Sequence, residues 1–515
     1  MEERSISIDD LPNGWVKCNL IDCGDIVSGG TPSTKIAEYW GNEVSWITPA
    51  DLSGYENKHI SKGQKSITRQ GLLKSSAKLM PKGSVLFSTR APIGYVVIAS
   101  NDICTNQGFK SIVPNNLIYN EFLYHFFKSA KQLAEKHASG TTFKELSLKA
   151  FSQIPIDVPP FREQHRIVAK IEELFSELDK GVEALKTAQQ QLKVYRQAVL
   201  KWAFEGKLTE KWRKQQKNLP TASQLLEQIK TEREKVTNVN GQKLKSITPL
   251  TQAELTELPV LPDGWKWMKA GQLYNFVTSG SRGWAQYYSE SGAIFIRITN
   301  LDFDSVKLDL APSKLQYVMP PEGAEGLRTR VTEGDLLFSI TGYLGMFAIA
   351  PKLKEAYINQ HIALCRPVDG FNKLYLGFWA ISKTGGNHYL NQMQKGATKA
   401  GLGLDDIQNL IVPFCALGEQ NQIVQEIETR LSVANKLEET ITQSLQQAEA
   451  LRQSILKKAF AGQLVPQDPH DEPADRLLTR IRAAKAAQTP ENGTVRRRGA
   501  GRKAASSLSA AVGKP

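Results

Sequence analysis

The sequence predicts an α+β chain made of two similar α/β modules and two long helices that pair with each other as a coiled coil. Three observations predict it. Segments of the first half return in the second. Each half closes on a helical periodicity of about 40 residues. Ahead of each such stretch lie short apolar runs punctuated by turn residues.

The repetition is explicit. Leu11-Pro12-Asn13-Gly14-Trp15 returns as Leu261-Pro262-Asp263-Gly264-Trp265, an offset of 250. Gly83-Ser84-Val85-Leu86-Phe87-Ser88 returns as Gly334-Asp335-Leu336-Leu337-Phe338-Ser339, and Asn106-Gln107 as Asn359-Gln360. Arg196-Gln197-Ala198-Val199-Leu200-Lys201-Trp202-Ala203-Phe204 returns as Arg452-Gln453-Ser454-Ile455-Leu456-Lys457-Lys458-Ala459-Phe460, an offset of 256. Solenoid periods are roughly 20–50 residues, so this is a duplicated domain with small loop changes.

The first module spans 1–158. Strands are expected at Val44-Ser45-Trp46-Ile47, Ser84-Val85-Leu86-Phe87 and Tyr95-Val96-Val97-Ile98-Ala99, with turns at Gly29-Gly30 and Pro92. Phe122, Leu123, Phe126, Phe127, Ala130 and Leu133 predict one helix near 120–137. The first long helix, 159–206, carries Ile167, Ile171, Leu174, Leu178, Val182, Leu185, Leu192 and Val199 at gaps of mostly three or four. Pro159-Pro160 precede it and Gly206 is a suitable stop. A linker, 207–258, contains a short helical piece at Leu225-Leu226-Glu227-Gln228-Ile229-Lys230.

The second module, 259–416, repeats this order, and its matching helix holds Leu374, Leu376, Phe378 and Trp379. The second long helix, 417–465, carries Ile423, Ile427, Leu431, Ala434, Leu437, Ile441, Leu445, Ala448 and Ile455, with Pro413 before it and Gly462 near its end. Residues 466–515 hold a short helix, Leu477-Leu478-Thr479-Arg480-Ile481-Arg482, and a basic tail around Arg496-Arg497-Arg498, expected to be disordered. Each long helix should measure on the order of 60 Å. A narrow apolar stripe on a lone helix would stay in water, so the simplest partner of each is the other.

Composition bounds the function. The formal net charge of +13 favours a polyanionic partner, although a plain solubility bias gives the same sign. Five scattered cysteines, Cys18, Cys23, Cys104, Cys365 and Cys415, form neither a disulfide framework nor a zinc spacing. No apolar run approaches the ~18 residues of a membrane span, and Met1-Glu2-Glu3-Arg4 starts no apolar signal core. A soluble, cytoplasmic protein is expected.

Catalytic patterns are missing. No G-x-x-x-x-G-K-[ST] loop, H-E-x-x-H pair or G-x-S-x-G elbow occurs, and the seven histidines are isolated. Gly29-Gly30-Thr31-Pro32-Ser33-Thr34-Lys35 has the flavour of a phosphate loop at the wrong spacing and reads as a turn. Asp157-Val158-Pro159-Pro160-Phe161 is similar to the Asp/Asn-Pro-Pro-aromatic motif of adenine-N6 methyltransferases, but Val158 interrupts it. Pro413-Phe414-Cys415-Ala416-Leu417 lacks the motif altogether, so both stretches read as strand-to-helix corners.

From about 11 to 465 the chain resembles the specificity (S) subunit of type I restriction–modification enzymes. The resemblance is carried by Leu11–Trp15, Gly29-Gly30-Thr31-Pro32-Ser33-Thr34, Trp46-Ile47-Thr48-Pro49-Ala50-Asp51-Leu52, Arg162-Glu163-Gln164, and Arg196–Leu200 through Gly206–Arg213. The second half departs in detail, with Gly418-Glu419-Gln420 for Arg162-Glu163-Gln164 and Gly280-Ser281-Arg282-Gly283 for the Gly-Gly-Thr-Pro run. The resemblance implies two α/β target-recognition domains separated by two long helices pairing as an antiparallel coiled coil. Each domain would read one half of an asymmetric, bipartite site in double-stranded DNA, as part of a host-defence restriction system. Two modification (methyltransferase) subunits would carry S-adenosylmethionine and methylate adenine N6. Restriction (endonuclease/translocase) subunits would use ATP and Mg. The chain itself would bind no cofactor and no metal and have no catalytic residue.

A rod between two basic modules can act as a ruler for half-sites about one helical turn, ~34 Å, apart. Candidate DNA-contacting residues are Lys35, Lys74, Arg90, Arg282, Arg297, Arg328 and Arg330, all in turn-like or strand-end settings. Each also reads as a solvated surface charge. Arg90 stands out because its counterpart is Thr341, and Gly29-Gly30-Thr31-Pro32 likewise faces Ser279-Gly280-Ser281-Arg282. Asn106-Gln107 and Asn359-Gln360 are shared and read as structural turns. Two rival classes stay open: a stand-alone two-domain DNA-binding scaffold or regulator, and an enzyme with an unrecognised centre.

Overall fold

The structure is a computed structural model that describes residues 11–90, 92–139, 144–235, 246–320, 323–394 and 401–488. The basic tail expected to be disordered lies outside the described residues. The chain forms two compact units: unit 1 comprises Met1–Val182 with Gln446–Pro515, and unit 2 comprises Glu183–Leu445.

Unit 1 contains β1 (Val16–Asn19), β2 (Gly24–Ser28), β3 (Trp40–Ile47), β4 (His59–Ile60), β5 (Lys65–Ile67), β6 (Val85–Thr89), β7 (Ile93–Ala99), β8 (Ile103–Thr105), β9 (Phe109–Pro114) and β10 (Pro155–Val158). They build a five-stranded sheet in the order β2-β9-β6-β7-β4, a three-stranded sheet β5-β3-β8 and the pair β1-β10. Unit 2 contains β11 (Lys266–Lys269), β12 (Tyr274–Ser279), β13 (Tyr288–Ser289), β14 (Ala293–Ile296), β15 (Tyr317–Val318), β16 (Leu336–Ser339), β17 (Phe347–Ile349), β18 (Ala356–Ile358), β19 (Ile362–Pro367) and β20 (Ile411–Phe414). Its sheets run β12-β19-β16-β17, β13-β15-β14-β18 and β11-β20.

The duplication is therefore topological. The order β2-β9-β6-β7 matches β12-β19-β16-β17, and the parallel pair β3-β8 (Ser45 opposite Ile103) matches β14-β18 (Ile294 opposite Ala356). Central strands such as Val85–Thr89 and Leu336–Ser339 are buried on both faces, which explains their continuous apolar character.

On the sheet of unit 1 lies a helix, Asn120–Ser129, whose Phe127 stacks on Phe87 with ring centroids 4.6 Å apart. The single helix expected over 120–137 is in fact two, Asn120–Ser129 and Lys131–His137, broken at Ala130 (φ −91°, ψ 9°). Alanine gives no local signal for a break. The chain turns there so that Lys131 can cross Gly94 of β7, where an added Cβ would meet the Lys131 side chain at 2.8 Å. Unit 2 has the matching helix Lys373–Ile381. The linker is more helical than expected, with Glu210–Gln215, Ala222–Lys235 and Gln252–Thr256.

The two long helices are Phe161–Phe204 and Leu417–Phe460, 44 residues each. Their seams have a seven-residue period, as a coiled coil requires. Ile171, Leu178, Leu185, Leu192 and Val199 mark one; Ile427, Ala434, Ile441, Ala448 and Ile455 mark the other, all five buried. Leu437, placed on the stripe by its spacing, is instead 50% exposed, and Glu438 beside it faces the partner helix, pairing with Arg196 at 2.7 Å. In unit 1, Arg452 pairs with Asp179. In unit 2 position 196 meets 438 and 209 meets 419, and in unit 1 position 179 meets 452 and 166 meets 471, so the helices run antiparallel within each unit.

Both helices stop alike. Gly206 (φ +69°) and Gly462 (φ +67°) take the left-handed conformation, and Lys207 N–H and Gln463 N–H reach back to the Trp202 and Lys458 carbonyls, both at 2.9 Å. Just before the stops, Phe204 packs on Tyr375 and Trp379 in unit 2, and Phe460 packs on Phe122 and Phe126 in unit 1. Each helix therefore starts against its own module and ends against the other repeat's module helix. All five cysteines are buried free thiols.

Candidate nucleic-acid interface

In unit 1, three backbone segments meet at the ends of β2, β6 and β9. Gly29 N–H donates to the Phe109 carbonyl at 3.3 Å and Gly30 N–H to Thr105 at 2.8 Å. A Cβ on Gly29 would lie 1.9 Å from the Asn106 carbonyl, so only glycine permits this approach. Trp46 Nε1 donates to the Gly30 carbonyl at 2.9 Å, and Thr31 Oγ1 bonds Gln107. Asn106 turns the chain by accepting Gly108 N–H at 2.9 Å. Thr89 N–H then donates to Gly108, and Leu146 N–H to Thr89. Arg90 faces Glu145 across an isolated antiparallel bridge.

Unit 2 rebuilds the same junction. Asn359 Oδ1 accepts His361 N–H at 3.1 Å, Ile340 N–H donates to His361 and Leu402 N–H to Ile340, both at 2.9 Å, and Thr341 bridges Gly401. Thr341 thus occupies the Arg90 place, as the sequence offset predicts, and the two Asn-Gln pairs are turns. Of the two registers the sequence offers for this loop, the one that sets Gly280 rather than Ser279 against Gly29 holds: Ser28 lies opposite Lys110 and Ser279 opposite Ala363, and a Cβ on Gly280 would lie 2.6 Å from the Asn359 carbonyl, as one on Gly29 meets that of Asn106. Thr31 consequently faces Arg282.

The seven candidate residues fare differently. Lys35 is exposed in the turn that follows the Gly29–Gly30 loop. Lys74 is exposed at the end of the helix Arg69–Leu73, which packs on the neighbouring turn Ala37–Tyr39. Arg90 is half exposed and pairs with Glu145 at 3.5 Å. Arg282 is exposed beside Ser281. Arg328 meets that same loop but is consumed by it, bonding Thr278 Oγ1, the Ser279 carbonyl and Ser281 Oγ. Arg297 begins a 3-10 turn where unit 1 has Thr48, and its Nη2 donates to the Lys314 carbonyl at 3.2 Å. Arg330 is exposed, and its carbonyl accepts Arg366 Nη2. Arg297 and Arg328 therefore shape their own loops, whereas Lys35, Lys74, Arg90, Arg282 and Arg330 present charge at the surface.

Sequence reasoning passed over Lys110 and Glu145. Lys110 sits on β9 inside Phe109-Lys110-Ser111-Ile112-Val113, and a charge inside an apolar strand was the available signal. Burial pushes its ammonium below the usual lysine range; Glu145 opposes that shift and Arg90 adds to it. Among the described residues no cluster of three His, Cys, Asp or Glu is placed to hold a metal ion, and no helix is long and apolar enough to cross a membrane.

Comparison with known proteins agrees with this architecture. The family model described as type I restriction modification DNA specificity domain matches residues 12–187 and 328–447. The type I restriction enzyme MjaIX specificity subunit of Methanocaldococcus jannaschii is 40% identical over 168 residues, which is 32% of this chain and 39% of that protein. The EcoBI specificity subunit of Escherichia coli is 24% identical over 499 residues, 95% of this chain and 96% of the relative. Among solved structures, a chain from work on complex assembly and conformational transition of a type I R-M system aligns with a TM-score of 0.64 at 19% identity, covering 88% of this chain and 99% of that one. The HsdS subunit of Thermoanaerobacter tengcongensis aligns at 0.50 and 18% identity, with the same coverage. Both structural likenesses speak to the fold alone. Two modules of one topology, two antiparallel helices with a seven-residue seam and this sequence match together place the chain in the type I restriction modification DNA specificity family.

Proposed function

We propose that this chain is the DNA-reading specificity subunit of a type I restriction–modification complex, in which each unit reads one half of an asymmetric bipartite site. One observation carries the reading. The same hydrogen-bonded junction is built twice, yet it displays Arg90 in one copy and Thr341 in the other, and Thr31 against Arg282. Constant scaffold with changed side chains is what two readers of different base sequences need, since phosphate contacts position a protein and base-edge contacts specify sequence.

Two modification subunits dock on the long helices, where Val194, Val433 and Leu437 are exposed apolar side chains. They bring S-adenosylmethionine; restriction subunits bring ATP and Mg. The chain works in the cytoplasm and catalyses neither methyl transfer nor cleavage alone. Mapping methylated adenines in the host genome, with and without this chain, tests the proposal. Exchanging module 11–158 for that of another family member should change one half of the methylated sequence only. Change in both halves, or no methylation that depends on the chain, overturns it.

The seam also makes the helices a ruler. Seven residues inserted after Gln189 and seven after Gln443 preserve the seven-residue register and lengthen the pair by ~10 Å. That is about three base-pair steps of 3.4 Å, so the spacer should lengthen while both half-sites keep their sequence. Full activity at the original spacing would mean that the helices do not set it.

A further inference from the structure

Three positions of the junction change together between the units. Arg90, Glu145 and Lys110 in unit 1 stand where unit 2 has Thr341, Gly401 and Ala363. The equivalence is fixed by register: Lys110 lies opposite Phe87 and Ala363 opposite Phe338. One copy is charged at all three places and the other at none.

Lys110 is the unusual member. It lies on β9, hydrogen-bonded between β2 and β6, and is 8% exposed. Among the described residues no hydrogen bond or ion pair holds its ammonium. A cation drawn partly out of water without a partner is costly, and the neighbouring Arg90 raises that cost. Among the described residues the carboxylate whose charge acts on the group is Glu145, and it is engaged by Arg90 at 3.5 Å. Glu145 is itself fixed, because its backbone exchanges two hydrogen bonds with Ser139 (3.0 and 2.9 Å) and the next residue is bonded to Thr89. Among the described residues two cations therefore share one anion, which leaves the site short of acceptor groups.

We propose that Lys110 and Arg90 together receive acceptor oxygens of DNA at the first half-site, with Lys110 a specificity-determining residue and Glu145 positioning the Arg90 guanidinium. The inference rests on the reading of the chain as a DNA-recognition subunit. The acceptors are either the O6/N7 edge of a guanine or the oxygens of a phosphodiester; both offer lone pairs to an ammonium and a guanidinium. Unit 2, with Ala363 and Thr341, makes no such contact at the equivalent place.

The test uses the full-length chain bound to its modification subunits and a pool of duplexes randomised over the recognition site. Wild type is compared with Lys110→Met, which keeps most of the stem, and Lys110→Ala, which copies unit 2. A guanine contact predicts a roughly ten- to hundredfold loss of discrimination at one base pair of one half-site, with the other half-site unchanged. A phosphate contact predicts weaker binding to all duplexes alike and a salt slope smaller by about one; this supports the site and assigns its source. Unchanged preference, affinity and salt slope in a folded variant overturn the proposal. If neither variant folds, Lys110→Gln, neutral and of similar length, takes their place, and unaltered preference, affinity and salt slope there overturn the proposal equally. Absence of any selected sequence with the wild type overturns the DNA-recognition reading itself, a separate result.

Discussion

Glu163 and Glu419 occupy equivalent places at the starts of the two long helices, each 1% exposed, and they are held differently. Glu419 receives Trp265 Nε1 at 2.9 Å, Thr209 Oγ1 at 2.8 Å and the Arg213 guanidinium at 2.5 Å. Glu163 receives Trp15 Nε1 at 3.1 Å, and nearby Arg166 is drawn to Asp471 at 2.7 Å. The next residue plays the same part in both copies, with one more bond in unit 1. Gln164 accepts Tyr119 N–H and donates to the Leu117 and Pro159 carbonyls, and Gln420 accepts Asn372 N–H and donates to Cys415. The duplicated scaffold conserves the geometry of the helix start while the balance of buried charge differs. Unit 1 also keeps His125 buried with both ring nitrogens lacking a hydrogen bond, where unit 2 has Phe378.

Removing the better-balanced side of that comparison should have the largest effect. Arg213→Ala leaves Glu419 buried beside two neutral donors and should destabilise unit 2 by roughly 3–5 kcal/mol, the range for breaking one partner of a buried pair. Denaturant unfolding measures it, and adding Glu419→Gln should restore much of the loss. A loss below ~1 kcal/mol would mean that Thr209 and Trp265 suffice.

His125 comes next. Burial, helped by Lys58 and Lys128, holds its imidazole down at about 4, against the pull of Glu121; Glu172 of the first long helix lies 3.9 Å away. A depressed histidine contributes stability that is present above its ordinary value and lost as pH falls through the folded one. Unit 1 should therefore weaken between about pH 6.5 and pH 4. His125→Phe, the unit 2 solution, should abolish this acid sensitivity, worth roughly 3 kcal/mol at its limit. Melting curves across that window check it; a variant as acid-sensitive as wild type removes His125 from the account.

The smallest effect has the opposite slope. Burial pushes the Glu163 carboxyl above the usual range despite its Trp15 hydrogen bond. A raised carboxyl contributes stability below its ordinary value that is lost as pH rises through the folded one. Glu163→Gln should keep the Trp15 bond, flatten that decline and add about 1 kcal/mol near neutrality. Equal pH profiles for variant and wild type would show that Glu163 is fully balanced by neighbours.

Much of the architecture was legible because it rests on spacing. The long helices end within a few residues of Gly206 and Gly462, and the corners after Val158 and Phe414 fall where Pro159-Pro160 and Pro413 point. What spacing cannot carry was missed. The break at Ala130 follows from what lies beneath the helix, and Leu437 faces outward because Glu438 has a partner across the seam. The interface was legible as a position and hardly as chemistry. Arg90 against Thr341 could be found by offset alone. That Arg328 spends its donors on Thr278, Ser279 and Ser281 depends on a fold that brings residues some fifty apart together.

Unit 2 is one uninterrupted stretch, Glu183–Leu445, and its two borders fall inside the long helices. Unit 1 is assembled from the two flanking stretches of chain, with Ala474 N–H bonded to the Gly14 carbonyl at 2.9 Å and Arg482 paired with Asp22. For the gene, this means that two crossovers, each within a helix-coding stretch, exchange one whole reader. The joints then fall in a seam that asks only for apolar residues every seventh place. New sequence preferences can be acquired by shuffling, with no loop needing to be redesigned and no reading surface cut.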